Sequence, residues 1–267
     1  MKWTPEAEAA VKKVPFFVRK KVKARIEKEA SQAGKHIVDL IDVKATQKRY
    51  LTSMASEVKG YQLETCFGPN ECPHRANPSD HLINQIEDVL NAADLLTFLK
   101  AHIKGDLKFH HEFRVALADC PNACSQPQIK DVGIIGASSP VLTGQPCTLC
   151  EACVDECREQ AILLGDSGPV IDDGRCIHCG KCVAVCDSGT LVQGSKGFRV
   201  QLGGKLGRHP QLARELPGIY SENEVLKIIQ WCLEYYKQHS KAGERFAEIF
   251  TESDFERLTQ EMRKRAG

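Results

Sequence analysis

Twelve of the thirteen cysteines fall in close-spaced groups, and the spacing is that of metal ligands. Cys147, Cys150, Cys153 and Cys157 form a Cys-x2-Cys-x2-Cys-x3-Cys run that recurs at Cys176, Cys179, Cys182 and Cys186, displaced by 29 positions each time. Thiolates three residues apart on a tight loop reach three corners of one iron-sulfur cube, so each run needs a fourth ligand from elsewhere. A zinc reading leaves too many thiolates for tetrahedral four-ligand sites at these spacings. Cys66-x5-Cys72 and Cys120-x3-Cys124 supply four more thiolates, enough for a third cube; taken alone, two loosely spaced pairs also suit zinc or no metal. Cubes pass single electrons and do no substrate chemistry of their own, so another centre must receive those electrons. The thirteenth, Cys232, lies on the apolar stripe Val225, Leu226, Ile229, Leu233, Tyr236 and reads as a buried core thiol.

The elements that hold these residues are legible in outline. Thr4 caps a helix opened by Pro5, and a second helix starts near Pro15 with Val18, Val22 and Ile26 a turn apart. Between Lys12 and Lys28 stand eight Lys or Arg and one acid, Glu27; this is a solvated face or a surface for an acidic partner or carboxylate-rich cofactor. Leu82, Ile83, Ile86, Val89, Leu90, Ala93 and Leu96 keep helical spacing, which predicts one core-facing helix from a Ser79 cap to about His102. Phe113, Val115 and Leu117 alternate with Arg114, Ala116 and Ala118, predicting a half-buried strand that runs into Cys120, and Asp131 to Gly136 reads as another short strand. After Gly203-Gly204 comes an amphipathic helix with Ser221 and Glu224 in capping-box register, then a charged helix from Asp254 to Arg265.

The chain has 267 residues, enough for two compact domains or one core carrying an inserted module. Lys+Arg (36) and Asp+Glu (35) nearly cancel, so no nucleic-acid or anionic-membrane partner is expected. With mean hydropathy −0.32 and no apolar run near the roughly 20 residues a membrane helix needs, no span is expected. Met1-Lys2-Trp3-Thr4-Pro5-Glu6 lacks the apolar stretch of a secretory signal, which predicts a cytoplasmic protein.

Residues 145–194 resemble a bacterial-type 2[4Fe-4S] ferredoxin, in which the fourth ligand of each cube comes from the other run. That implies one cluster on Cys147, Cys150, Cys153 and Cys186 and a second on Cys176, Cys179, Cys182 and Cys157. Arg158 and Asp187 stand where that family has Pro after the fourth cysteine, so the local turn differs. The segments Thr65–Cys72, Asp119–Cys124, Ile129–Gly136 and Gly203-Gly204-Lys205-Leu206-Gly207-Arg208-His209-Pro210 resemble the cluster-binding half of the sulfite and nitrite reductases, in the dissimilatory and anaerobic members that carry a ferredoxin insert. In that family the four-cysteine cluster is coupled to siroheme through the last cysteine of the Cys-x3-Cys pair, which here is Cys124. The resemblance makes Lys205, Arg208 and His209, on a loop whose glycines permit close backbone approach, candidates for catalytic contacts with an oxyanion or for siroheme carboxylates. The first half of the family's siroheme pocket has no counterpart here. In its place Trp3, Pro15–Val22, Glu27 and Gly34 resemble the small C-terminal domain on a subunit of dark-operative protochlorophyllide reductase.

These resemblances predict an α+β fold in three parts. Residues 1–46 form a helical basic N-terminal domain, 47–144 with 195–267 a reductase-type mixed sheet with flanking helices, and 145–194 the inserted two-cluster ferredoxin. The expected cofactors are three [4Fe-4S] clusters and siroheme. The expected activity is reduction of sulfite, nitrite or a related small oxyanion, fed by an electron-donor protein or partner subunit, with the pocket completed by dimerisation or another chain. A three-cluster electron-transfer protein without oxyanion chemistry, and a tetrapyrrole-binding accessory protein, stand as alternatives.

Overall fold

The computed structural model describes residues 1–14, 16–68 and 72–266, with the backbone alone described at 17, 50–56 and 263–266. The expected helix start at Pro15 and the segment Pro69–Glu71 lie outside the described residues. Two compact units are present, residues 1–58 with 103–110, and 59–102 with 111–267.

In the first unit a two-residue parallel bridge joins β1 (Lys2–Trp3) to β2 (Ile37–Val38), and three helices follow the chain: α1 (Pro5–Lys12), α2 (Phe16–Gln32) and α3 (Leu40–Glu57). Thr4 caps α1 by accepting from the Ala7 N–H at 3.3 Å, with Pro5 where a missing donor costs nothing. Asp39 and Asp42 form a reciprocal capping box at the start of α3, which runs unbroken across position 46. Ala7, Val11, Ile26, Ala30, Val38 and Val43 make the small core, so the apolar stripe of α2 is spent on packing. Its exposed side keeps Lys20, Lys21, Arg25 and Lys28 in solvent.

The second unit is built on a five-stranded sheet in the order β3 (Tyr61–Thr65), β4 (Phe113–Ala118), β5 (Val132–Leu142), β8 (Leu191–Leu202), β9 (Arg214–Glu215). The first three strands are parallel and the last two antiparallel, giving the mixed sheet expected. The 79–102 stretch is two helices, α4 (Asp80–Ala92) and α5 (Leu95–His102), because Asp94 takes φ +45° and its carboxylate accepts the Thr97 N–H at 3.4 Å, capping the second helix. Leu82, Ile86 and Leu90 are buried against the sheet with Ile229, Cys232 and Leu233 of α8 (Glu222–His239), whose Ser221/Glu224 capping box forms as expected. β4 is buried on both faces, not half-buried: it is a central parallel strand, and such strands have no solvent side. α9 (Phe246–Ile249) and α10 (Glu252–Ala266) complete the layer. Among the described residues no helix is long and apolar enough to cross a membrane.

β5 extends well past the expected Gly136, and β8, which the sequence pattern did not single out, pairs with it from Val132↔Leu202 to Leu142↔Leu191, with an irregularity between Ser138 and Pro140 where proline has no N–H to offer. The cysteine-rich insert sits at the tip of this hairpin and carries α6 (Ala152–Glu156), a second hairpin of β6 (Ile162–Gly165) and β7 (Gly168–Ile171), and α7 (Lys181–Ala184). The 29-residue repeat is structural. Ile162↔Ile171 and Leu191↔Leu142 are equivalent pairs, and positive φ recurs at Leu149 and His178, Glu151 and Gly180, Gln160 and Gly189.

Candidate metal centres

Because β3 and β4 are parallel neighbours, their carboxyl ends emerge side by side, and each delivers the chain to a cysteine. The Cys66 N–H continues the ladder to the Leu117 carbonyl at 3.0 Å, and Cys120 follows β4 by two residues. The loops leaving these ends close one cavity lined by all four thiols, Cys66, Cys72, Cys120 and Cys124. Backbone N–H groups of Gly68 and Asp119 donate to Cys66 Sγ at 3.2 and 3.3 Å, and the Asn122 amide donates to Cys124 Sγ at 2.9 Å. Such bonds favour the thiolate, the form that ligates metal. Burial, and then the neighbouring Cys66, Cys124 and Cys72, push the Cys120 thiol up. Bound iron would relieve that rise at Cys120 by supplying positive charge. The four are unequal, since Cys124 is exposed and the others half-buried.

Three residues not anticipated from the sequence frame this cavity. The buried Asp119 carboxylate accepts from Arg75 Nε at 2.6 Å and from the Ser79 hydroxyl at 2.5 Å, and Arg75 also pairs with Asp80. Ser79 thus holds the N-cap position of α4 but gives its hydroxyl to Asp119. His74 and Arg75 line the cavity beside the thiols. Their only sequence signal was adjacency, in Cys72-Pro73-His74-Arg75 and Asp119-Cys120.

In the insert the fold brings the two runs together crosswise. Burial raises the Cys153 thiol against the lowering effect of a backbone hydrogen bond, and the neighbouring Cys186, Cys147 and Cys150 add to the rise. Cys182 is pushed up to about 11 by burial, then by Cys179, Cys176 and Cys157. Each run therefore meets the last cysteine of the other. Sulfur acceptors recur: Leu149 N–H on Cys147 (3.4 Å), Ala161 N–H on Cys157 (3.3 Å) and Leu191 N–H on Cys186 (3.3 Å). After the fourth cysteine of each run, at Arg158 and Asp187, the turns close by Gln160 N–H to Cys157 O and Gly189 N–H to Cys186 O, with Gln160 and Gly189 at positive φ. Among the described residues no group of three or more His, Cys, Asp or Glu converges on a single metal ion. Cys232 is fully buried in the main core, its thiol raised above the ordinary range by desolvation.

The glycine-rich loop is elsewhere. Lys205 Nζ pairs with Glu248 at 3.1 Å, whereas Arg208 and His209 are exposed, and none of the three lines the four-cysteine cavity. The close backbone approach expected of its glycines is to the protein itself: a Cβ on Gly204 would lie 2.5 Å from the Gln128 carbonyl oxygen. Arg245 fixes the loop from below, donating to the Leu206 carbonyl at 3.3 Å with its guanidinium 3.7 Å from buried Asp131.

The family described as the nitrite and sulphite reductase 4Fe-4S domain matches residues 63–267, and the proto-chlorophyllide reductase 57 kD subunit family matches residues 3–46. A coenzyme F420-dependent sulfite reductase of Methanocaldococcus jannaschii is 31% identical over 195 residues, 72% of this chain and 30% of that protein. One subunit of the light-independent protochlorophyllide reductase of Prochlorococcus marinus is 57% identical over 37 residues, 14% of this chain and 7% of that protein. Dissimilatory sulfite reductase I shares the fold at a TM-score of 0.51 and 17% identity, over 80% of this chain and 57% of that chain. The chain thus spans under a third of the sulfite reductase from M. jannaschii and little over half of the dissimilatory one. With both cysteine pairs, the sheet that presents them and the insert inside one continuous match, the chain belongs to the nitrite and sulphite reductase 4Fe-4S domain family.

Proposed function

We propose that this chain is the cluster-bearing half of a siroheme-[4Fe-4S] oxidoreductase of the sulfite or nitrite reductase type, reducing a small oxyanion with electrons relayed through its insert. The observation that carries this reading is the exposed thiol of Cys124 at a four-cysteine cavity whose other three thiols are half-buried. Cys66, Cys72, Cys120 and Cys124 would hold one [4Fe-4S] cluster, and the crossed sets of the insert the other two. The donor chemistry fits: four thiols each, with N–H groups aimed at sulfur. Siroheme held against Cys124 would supply the redox-active iron at which the oxyanion is reduced, coupled electronically to the cluster.

The chain's own residues then have definable tasks. Asn122 orients the Cys124 sulfur, and the Asp119 and Asp80 carboxylates fix the Arg75 guanidinium in the cavity wall. Arg208 and His209 stand in solvent, free to contact macrocycle carboxylates or to deliver protons, and Lys205 must first leave Glu248. The facing half of the pocket would come from a second copy or a partner subunit, with electrons from a donor protein.

A second reading, a three-cluster electron-transfer protein on this scaffold, is favoured by one observation: none of Lys205, Arg208 and His209 lines the cavity. An absorption spectrum of anaerobically purified protein, iron counting and acid-acetone extraction separate the two. A siroheme band beside iron for three clusters is expected. Iron for three clusters with no tetrapyrrole, even after reconstitution with siroheme, establishes the second reading.

A further inference from the structure

The insert is fastened to the sheet at more than its hairpin tip. β5 outruns β4, their register ending at Ala118↔Ile135, and beyond it the edge of β5 is taken by the loop between Cys176 and Cys179. The Ser138 N–H donates to the His178 carbonyl at 2.8 Å, and Ser138 bridges Cys179 in parallel register. Gly180 has φ +73°, and a Cβ there would lie 3.0 Å from both Cβ and Oγ of Ser138, so the contact depends on glycine. From β8, Arg199 is largely buried and forks onto Glu215 at 2.7 Å through Nε and Nη2, while Nη1 donates to the Ile177 carbonyl at 3.0 Å. Two residues before Ser138, Gly136 packs against the Asp119 carbonyl, directly ahead of Cys120. Two cysteine sites are thus anchored on β5 about 7 Å apart along the strand. Within the insert, Lys181 of α7 donates to Glu156 of α6 at 3.0 Å, tying the two runs together. The equivalent loop of the first run, Thr148 to Cys150, is exposed.

We propose that Arg199 is the positioning residue of an electron junction. By holding the Ile177 carbonyl it keeps the Cys157, Cys176, Cys179, Cys182 set beside the Cys66, Cys72, Cys120, Cys124 set, making the first the donor to the second. The Cys147, Cys150, Cys153, Cys186 set, reached through its exposed Thr148–Cys150 loop, then faces the external donor. This rests on the reading that all three sets hold [4Fe-4S] clusters. The step is a one-electron transfer: the donor cluster is oxidised by one electron and the acceptor cluster reduced by one, with no bond made or broken. The electron is replaced through the Cys147, Cys150, Cys153, Cys186 set from a low-potential one-electron donor protein. The Arg199 charge also favours the reduced, more negative state of the neighbouring cluster.

The test uses the whole chain, reconstituted anaerobically and reduced with dithionite. About twelve irons per chain are required of the wild type, and fewer would overturn the three-cluster reading itself. In pulsed EPR, Cys179→Ser should abolish the relaxation enhancement of the Cys66/Cys72/Cys120/Cys124 signal, whereas Cys150→Ser should leave it. In potentiometric titration, Arg199→Gln, which touches no ligand, should lower the midpoint of the insert cluster that Cys179→Ser removes and spare the other, and Arg199→Lys should restore it. With twelve irons in the wild type, enhancement lost in Cys150→Ser and kept in Cys179→Ser, or unshifted midpoints in Arg199→Gln, would overturn the junction alone.

Discussion

Cys124 and Cys150 are both exposed thiols, yet they sit in different circuits. Cys124 belongs to the four-cysteine cavity and takes an amide bond from Asn122, whereas Cys150 lies on the outer loop of the insert. On the proposed siroheme assignment, Cys124→Ser is expected to perturb both the haem absorption and the cluster of that cavity, and Cys150→Ser to leave haem in place while electron supply is lost; unchanged siroheme absorption in Cys124→Ser would refute the coupling through Cys124. Cys232 is the contrasting case. Its thiol is fully buried among Ile229, Leu233 and Tyr236, so Cys232→Ser places a hydroxyl in an apolar core. The expected cost is about 1–3 kcal/mol, read as a lowered Tm with iron content unchanged. The sequence stripe already separated this thiol from the other twelve. Arg75 and Asp119 were not legible in the same way, since their partnership spans 44 residues and exists only after β3 and β4 pair.

At the scale of elements, α2 and α3 are joined by a charged knot. Glu29 accepts from the Thr46 hydroxyl at 2.6 Å and from Arg49 at 2.5 Å, and these bonds, Thr46 foremost, lower its pKa from 4.5 to about 2. A carboxylate depressed on folding stabilises most above the unfolded value and loses that contribution as pH falls through the folded one. The N-terminal unit should weaken between about pH 4.5 and 2. Glu29→Gln should cost about 1 kcal/mol near neutrality and flatten that acid limb, measured as Trp3 fluorescence melting in a Trp231→Phe background. A limb unchanged by the substitution would place the acid sensitivity elsewhere. The break at Asp94 shows why the 79–102 periodicity misled: α4 and α5 each keep the apolar spacing, and only the capping carboxylate reveals that the chain changes direction.

For the whole molecule, the insert and the sheet share two strands but not a core. The core of the insert is Cys153, Ile162, Cys182 and Leu191 with Cys157 and Cys186 against it, so cysteines that should hold iron are also its packing. The reductase sheet has its own large aliphatic and aromatic core. Replacing residues 143–190 by a two-residue hairpin turn joins Leu142 to Leu191, which already pair. The shortened chain is expected to fold, to bind about four irons instead of about twelve, and to keep the EPR signal of the Cys66/Cys72/Cys120/Cys124 cluster. Loss of all iron would show that this cavity depends on the insert. Removing iron from the intact chain should expose 145–190 to protease before the sheet, because that unit loses its organising centre.

The sequence by itself determined which cysteines form groups, that two runs repeat at 29 residues, and where several helices begin, because ligand spacing, duplication and capping are local properties. It also marked the Gly203–Pro210 loop as unusual without showing that its tight backbone is spent on Gln128 and its lysine on Glu248. Only the tertiary structure decided that Cys66 and Cys120 emerge side by side, that Cys124 alone of its set is exposed, and that Ser138 and Arg199 hold one particular cysteine loop against the sheet. Those facts follow from strand order and from one strand outrunning its neighbour, and strand order is fixed by contacts between residues far apart in the chain.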